Sequence, residues 1–206
     1  MSAVPAQNLS PRAARTRAAL IAAGYDLLVE RPIDAIPIDD VVARAGVAKG
    51  SFFNHFADKR DFAAAIAADV RVELEAMVAA ANAGVADPVE RIAGGMRVAA
   101  EFAMTDPKRA AVLLRSQSSS TAKEHPLNRG LLDDVDAAAA IGRLRPEAAD
   151  NGVLYWLGLC HILMIHIVER RPSETEYARQ LTDMLVLGLS GLGVDQLSAQ
   201  RIAAGR

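Results

Sequence analysis

The segment of residues 38–60, IDDVVARAGVAKGSFFNHFADKR, constrains the fold more than any other part of the sequence. From Ile38 onward, apolar residues recur at i, i+3, i+4 and i+7, which predicts a helix of about two turns with one apolar face. Gly46 ends that helix, because glycine adopts positive φ without a steric penalty and lets the chain turn. A second helix is predicted over about residues 48–56. The segment therefore predicts two short helices joined by a glycine turn.

The second of these helices has two faces of different character. Phe52 and Phe56 lie four residues apart and are expected to face the core. The positions that remain for the outward face are Lys49, Gly50, Ser51, Phe53, Asn54 and His55. Two short helices around a glycine turn are the arrangement of a helix-turn-helix, in which the outward face of the second helix reads DNA.

The stretch AGVAKGSFFNHFADKRDF resembles the signature of the tetracycline-repressor (TetR) family of transcription regulators. The resemblance spans roughly residues 16–62, and over residues 85–206 it is one of pattern and length. It includes the alanine-glycine-valine turn, the aromatic pair and a lysine three residues after Phe56. Carried over position by position, it implies DNA contacts by Lys49, Gly50, Ser51, Phe53, Asn54, His55 and Lys59.

Three residues depart from the pattern that the resemblance implies. Phe53 stands where a tyrosine is usual, so no hydroxyl is available for a phosphate. Ala48 replaces a frequent serine and removes an N-cap that is typically worth about 1 kcal/mol. Asp39 occupies a position where a basic or polar residue often touches the DNA backbone, and its carboxylate would repel a phosphate. Of the implied contacts, Lys49 and Asn54 have side chains long enough to reach base edges.

The distribution of charge is more informative than its sum. The formal net charge of −2 gives no electrostatic indication of nucleic-acid binding. Charge is nevertheless uneven, because Arg12, Arg15 and Arg17 are grouped with no acid before Asp26. A local basic patch on an acidic body suits a protein that meets DNA through one end only. A solvated helix face is an equally good interpretation of any one of these arginines.

Capping and breaker residues divide the chain into about nine helices with no convincing strand, so the predicted fold class is all-α. Residues 1–9 are expected to form a mobile arm, and residues 10–60 a three-helix helix-turn-helix DNA-binding domain. A linking helix follows over 61–84. Residues 85–206 are expected to form a helical ligand-binding and dimerisation domain, with the residues after Val194 mobile.

Other classes of protein find little support in the sequence. The single Cys160 excludes an intrachain disulfide, and no basic-then-apolar leader opens the chain, so a cytoplasmic location is predicted. The longest apolar run, residues 153–168, is shorter than the roughly 20 residues that a bilayer needs, and it predicts a buried helix and no membrane partner. His161 and His166 are five apart on that helix and cannot hold one metal together. No catalytic motif, metal site or cofactor is predicted.

The resemblance also implies an effector cavity, and the apolar faces of the last two long helices predict a homodimer. Residues suited to line the cavity are Phe102, Met104, Leu113, Leu114, Tyr155, Trp156, Leu159, His161, Ile162 and Met164, with Arg97, Glu101 and His161 as polar anchors. The alternative is that these residues are plain core. The last two long helices are expected to pack as a four-helix bundle between two protomers through Leu181, Met184, Leu185, Gly188 and Leu192.

The functional prediction is a ligand-responsive, sequence-specific transcription regulator that is not an enzyme. It would most readily be a homodimeric repressor, released from a palindromic operator in double-stranded DNA by a small apolar effector. Two alternatives stay open at this point. One is a helical enzyme or ligand carrier that retains an unused helix-turn-helix, and the other is an architectural DNA-binding protein with no effector.

Overall fold

The computed structural model describes residues 10–116 and 128–205, and within those ranges every regular element is a helix. Ten α-helices and one short 3-10 turn, Ile33–Ala35, are present there. The α-helices are α1 Pro11–Glu30, α2 Ile38–Ala45, α3 Lys49–Phe53, α4 Lys59–Ala81, α5 Pro88–Thr105, α6 Pro107–Arg115, α7 Arg129–Ala140, α8 Pro146–Arg170, α9 Glu174–Leu192 and α10 Gln196–Ala203. The predicted all-α fold is therefore confirmed.

The chain divides into two units, and the divisions fall inside helices. Residues 10–71 together with 111–116 form the N-terminal unit, and residues 72–110 together with 128–205 form the C-terminal unit. The first boundary thus lies within α4, whereas the sequence predicted one boundary before this helix, after residue 60, and another after it, at residue 84. The end of α6 belongs to the N-terminal unit, where the Arg115 guanidinium donates hydrogen bonds to the carbonyl oxygens of Leu28 and Val29 at the end of α1.

A single hydrophobic core holds the N-terminal unit together. The 3-10 turn contributes Ile33, and α4 contributes Phe62 and Ile66. The core residues of this unit are Leu20, Leu27, Leu28, Ile33, Ile36, Val41, Val42, Phe52, Phe56, Phe62, Ala63, Ile66 and Val112. Since the short helices α2 and α3 are marginal by themselves, this shared burial is what fixes them in place.

The predicted helix starts are confirmed by hydrogen bonds at the caps. The Ser10 hydroxyl accepts a hydrogen bond from the amide of Ala13, so Ser10 is the N-cap of α1 and Pro11 is its first residue. Ser173 and Glu176 form the expected capping box at the start of α9. Asp58, Asp87 and Asp106 accept backbone amides at the starts of α4, α5 and α6. These bonds satisfy amides that have no partner within their own helix.

In the C-terminal unit, α5 is the central helix, and α7, α8, α9 and α10 all contact it. Its buried face includes Ile92, Met96 and Phe102. The α5–α7 contact is reinforced by an ion pair in which Arg91 Nε lies 2.6 Å from Asp134 Oδ1. Burial is the largest influence on the Asp134 carboxyl and raises its pKa, and the hydrogen bond from Arg91 opposes that rise.

Two expectations about the C-terminal end of the chain were wrong. The residues after Val194 are not mobile, because they form an additional helix, α10, and the helix count over the described ranges is ten instead of nine. The Asp195 carboxylate accepts from the amide of Ser198 and starts this helix. Its apolar face, which includes Ile202, is buried. The predicted mobile arm, residues 1–9, and the predicted loop over residues 117–123 lie outside the described residues.

The helix α8 is the one described helix that is long and apolar enough, by length and composition, to cross a membrane. It contacts α5, α7 and α9 in the C-terminal unit. Its residues Trp156, Leu163 and Ile167 are buried. A packed core helix meets the same criteria of length and composition.

Candidate nucleic-acid interface

The turn between α2 and α3 has the geometry that the sequence predicts. Gly46 adopts φ +67° in the left-handed region, which is accessible to glycine at no steric cost. The amide of Val47 then donates to the carbonyl of Val42 at 3.0 Å and folds the chain back over the end of α2. This turn sets the direction in which α3 leaves α2.

Aromatic packing fixes the inner face of α3. Phe52 is fully buried, and its ring centroid lies 5.1 Å from that of Phe62 on α4. Phe56 lies 5.5 Å from Phe52 and 4.8 Å from Phe62. The core placement of Phe52 and Phe56 is therefore confirmed. α3 itself is shorter than expected and ends at Phe53, because Asn54 already serves as its C-cap.

The outward face of α3 is open to solvent. The Phe53 side chain is 53% exposed, although it follows a fully buried phenylalanine. A Cβ built on Gly50 would meet no heavy atom within 4 Å, so another molecule can approach the backbone there. Asn54 is exposed as well, while Ser51 and His55 are half-buried. Ala48 makes no side-chain hydrogen bond to cap the helix, as expected from its side chain.

Lys49 at the start of α3 is paired with an acid of α2. Its Nζ lies 2.8 Å from Oδ1 of Asp39. The two side chains are 59% and 69% exposed, so water screens the pair and it contributes little to stability. Lys49 lies four residues before Phe53, so these two exposed side chains share one side of α3.

The Lys59 ammonium is engaged with the backbone of the N-terminal unit. It donates to the carbonyl oxygens of Asp34 and Ile36 at 3.0 and 2.9 Å. The sequence predicted a phosphate contact here, and the structure shows in addition that Lys59 ties the start of α4 to the 3-10 turn. An ammonium has three donors, so one remains for a phosphate.

Arg17 of α1 reaches the neighbourhood of the recognition helix. Its guanidinium lies 5.3 Å from the ring centroid of Phe56. Burial, and secondly the charge of Arg17, lower the pKa of His55 from its ordinary value, so that this imidazole is neutral at pH 7. A neutral His55 can donate one hydrogen bond and accept another.

Two further cations of this unit are held by acids. The Arg31 guanidinium bonds to Asp40 and to the carbonyl of Ala35. Arg44 at the end of α2 lies 3.8 Å from Asp26 of α1. The sequence predicted only that Asp39 would repel a phosphate. These cross-helix pairs were not predicted, because their partners are distant in sequence.

The residues predicted to line an effector cavity occupy different environments. Phe102, Trp156 and Met164 are buried, Arg97, Met104, Leu113, Leu114 and Leu159 are half-buried, and Glu101, Tyr155 and Ile162 are exposed. Leu113 and Leu114 lie on the part of α6 that belongs to the N-terminal unit. The predicted anchor Arg97 donates to the carbonyl oxygen of Ile202, which ties α5 to α10. His161 is exposed, and partial desolvation of its imidazole lowers its pKa. Among the described residues no three His, Cys, Asp or Glu side chains are placed to hold a metal ion.

The predicted dimer seam needs correction. Leu185 and Leu192 are 1% and 2% exposed, and Gly188 lies against Trp156, where a Cβ would come within 2.8 Å of Cζ3. This row of α9 therefore covers the core of its own chain and is unavailable to a second protomer. Leu181 and Met184 are only half-buried. The apolar side chains that α8 and α9 leave exposed are Leu154, Tyr155, Ile162 and Leu187.

Comparison with known proteins finds a family match within the N-terminal unit. Residues 20–66 match the family model described as bacterial regulatory proteins, tetR family. The uncharacterized HTH-type transcriptional regulator YwcC of Bacillus subtilis (strain 168) is 43% identical over 42 residues, which cover 20% of this chain and 19% of that protein. The chain thus matches about a fifth of the length of this curated relative.

Solved structures extend the likeness in fold to nearly the whole chain. A crystal structure of RolR in complex with resorcinol has a TM-score of 0.59 at 20% identity, covering 95% of this chain and 96% of that one. A gamma-butyrolactone receptor, an ArpA-like protein, has a TM-score of 0.54 at 21% identity and covers 95% and 97%. At these identities the likeness shows the fold alone, which is all-helical and contains a helix-turn-helix. Residues 20–66 are therefore similar to the tetR family of bacterial regulatory proteins, and the likeness of the rest of the chain is one of fold.

Proposed function

We propose that this chain is a sequence-specific DNA-binding transcription regulator that responds to a small ligand. The observation that carries the proposal is the contrast between the two faces of α3. Phe52 is fully buried against α4, whereas Phe53 is 53% exposed and Gly50 has open space around it. The five-residue helix α3 thus has one face that is fixed in the core and an opposite face that is open to a binding partner.

Individual residues take different roles on DNA. Lys49 and Asn54 are placed to reach base edges, and Lys59 has one donor left for a phosphate. Gly50 allows the backbone to come close to the duplex. The contacts of Lys59 would position the protein, while those of Lys49 and Asn54 would select the sequence.

The effector that we propose is a small neutral molecule with an oxygen acceptor. Trp156 is 1% exposed, and its Nε1 has no hydrogen-bond acceptor within the described part of the chain. A buried hydrogen-bond donor without an acceptor costs free energy. A ligand that accepts a hydrogen bond from Trp156 would therefore gain binding free energy. The likeness in fold to RolR with resorcinol and to a gamma-butyrolactone receptor supports neutral, oxygen-bearing probes.

The active species that we propose is a two-fold dimer, formed through the apolar side chains that α8 and α9 expose. Ile162 and Leu187 are 61% and 67% exposed, and a second protomer that covered them would remove their apolar surface from water. A dimer of this kind presents two recognition helices to consecutive major grooves about 34 to 36 Å apart. Without an effector, the dimer acts as a repressor in the cytoplasm. An effector that alters the separation of the two recognition helices lowers the affinity of the dimer for its operator.

Selection of duplexes from a random pool by the full chain tests DNA reading. We expect enrichment of a palindrome with half-sites one helical turn apart, and loss of selection when Asn54 is replaced by alanine. Retention without any sequence enrichment would favour an architectural protein. Failure to retain DNA at low salt would favour an enzyme or ligand carrier with an unused helix-turn-helix.

Thermal shift with resorcinol and gamma-butyrolactone as probes tests the effector class. We expect stabilisation of the wild-type chain and release of the selected duplex by the same probe. The variant Trp156→Phe keeps an aromatic ring but loses the donor, so it should respond less to resorcinol and equally to m-xylene, which has no acceptor. Equal responses of both chains to resorcinol would exclude Trp156 as the donor.

A further inference from the structure

The Asp39–Lys49 pair places a carboxylate where a DNA-binding surface ordinarily has none. The two side chains are more exposed than those of the other cross-helix pairs in this unit, Arg31–Asp40 and Arg44–Asp26. Screening by water leaves such an exposed pair with little effect on stability. Both charged groups are thus accessible to a binding partner at the start of α3.

Phosphates cannot satisfy both members of this pair. A phosphate attracts the Lys49 ammonium but repels the Asp39 carboxylate, which also competes with the phosphate for the ammonium. A base edge in the major groove can satisfy both, because it presents hydrogen-bond donors beside acceptors. The pair therefore penalises contacts with the backbone and favours contacts with bases.

The donor and acceptor of the pair match one base pair best. Nζ and Oδ1 are 2.8 Å apart, which is the separation of two groups that are themselves hydrogen-bonded across a base pair. In a G·C pair, guanine offers O6 and N7 to an ammonium, and the neighbouring cytosine N4 amino group donates to a carboxylate. An A·T pair also presents an acceptor beside a donor, thymine O4 beside adenine N6, but it offers the ammonium one acceptor instead of two, and the thymine methyl group crowds the ammonium.

We propose that Asp39 and Lys49 together read one G·C base pair in each half-site, and that Asp39 is a specificity-determining residue of this regulator. Lys49 donates to guanine and Asp39 accepts from the paired cytosine. On other sequences the carboxylate holds Lys49 away from the phosphates. This inference rests on the proposed DNA-binding function and assigns a base to two of its residues.

Selection from a random pool with the wild type, Asp39→Ala, Asp39→Asn and Lys49→Ala tests the assignment. We expect Asp39→Ala and Lys49→Ala to lose the preference at the same G·C position, each with a 5- to 150-fold loss on the best site, roughly the range for one good base contact. Asp39→Asn should shift that position toward adenine, because a carboxamide pairs with N6 and N7. For random duplexes, Asp39→Ala should bind more tightly, with a salt slope steeper by about 2 for two protomers.

The matched control is Asp26→Asn, which removes the same charge from an exposed ion pair in the same unit. It should leave the consensus unchanged, and circular dichroism should show equal melting for all variants. If Asp39→Ala selects the wild-type consensus while binding every duplex more tightly, the carboxylate is only a repulsive charge and the inference is overturned. If the wild type itself selects no sequence, the proposed function fails and the inference fails with it.

Discussion

Replacing Gly24 by alanine should destabilise the DNA-binding unit without touching any residue that faces DNA. Gly24 lies on the buried side of α1, opposite α4. A Cβ at this position would lie 2.6 Å from Cε1 of Phe62 and 2.5 Å from Cδ1 of Ile66. Real Cβ atoms essentially never come that close to other carbon atoms, so the Phe62 ring must move.

Two opposing effects set the magnitude. Alanine is favoured over glycine in a helix interior by about 1 kcal/mol. Overpacking of a filled core costs about 1 to 3 kcal/mol. Phe62 is 1% exposed and in ring contact with Phe52 and Phe56, so it has no free space and the cost should lie near the upper end. The expected net loss is about 2 kcal/mol, and the displacement of Phe52 should also weaken operator binding.

The matched control is Gly95→Ala in α5, where the nearest atom to a Cβ is Cγ1 of Val78 at 3.8 Å. That change should stabilise its unit by about 1 kcal/mol. Segment-resolved hydrogen exchange measures the two units separately: exchange of the protected amides over residues 20–66 should be about 30-fold faster in Gly24→Ala. If these amides exchange as slowly in Gly24→Ala as in the wild type, α1 does not pack on α4 as tightly as described.

Three further outcomes are expected. Lys59→Ala should weaken binding to cognate and random duplexes alike. In a fluorescence-anisotropy titration, the slope of log affinity against log salt concentration should become smaller in magnitude by about 2. Lys108→Ala is the control and should leave this slope unchanged. Leu187→Arg should give a monomer in sedimentation, whereas Leu197→Arg, at a residue that is 78% exposed on α10, should sediment as the wild type does. Burial lowers the folded-state pKa of His161 below the unfolded value of about 6.5, so the unfolded chain binds more protons as the pH falls. Stability should therefore drop between pH 7.5 and 5.5, and His161→Gln should make that drop smaller in urea titrations.

Local hydrogen bonds explain which parts of the fold could be predicted from the sequence. The starts of α1 and α9 depend on Ser10 and Ser173, whose hydroxyls bond to amides three residues ahead. The turn at Gly46 depends on one residue with positive φ. Each of these features is encoded within four residues, so reading the sequence is enough.

The features that the sequence did not predict depend on tertiary packing. α10 has a capping signal at Asp195, but an eight-residue helix is marginal alone and is stabilised here by packing on α9 and α5. The apolar row of α9 through Leu185 was assigned to the dimer because periodicity shows that a row is covered but not what covers it. Leu187, two positions further on, is the exposed one. The partners of Lys59 are carbonyl groups more than 20 residues away in sequence, and no local pattern signals them.

The ion pairs of the N-terminal unit have a consequence for how such a protein can bind DNA at a formal net charge of −2. Arg31, Arg44 and Lys49 each have an acid of the same unit as partner. A phosphate that binds one of these cations must displace a carboxylate. Because one anion replaces another, the contact contributes less binding free energy than contact with an unpaired cation. Weak backbone attraction lowers affinity for every duplex equally, and what then separates an operator from other DNA is the set of base contacts. The paired cations thus favour selectivity over affinity, because they reduce the part of the binding energy that carries no sequence information.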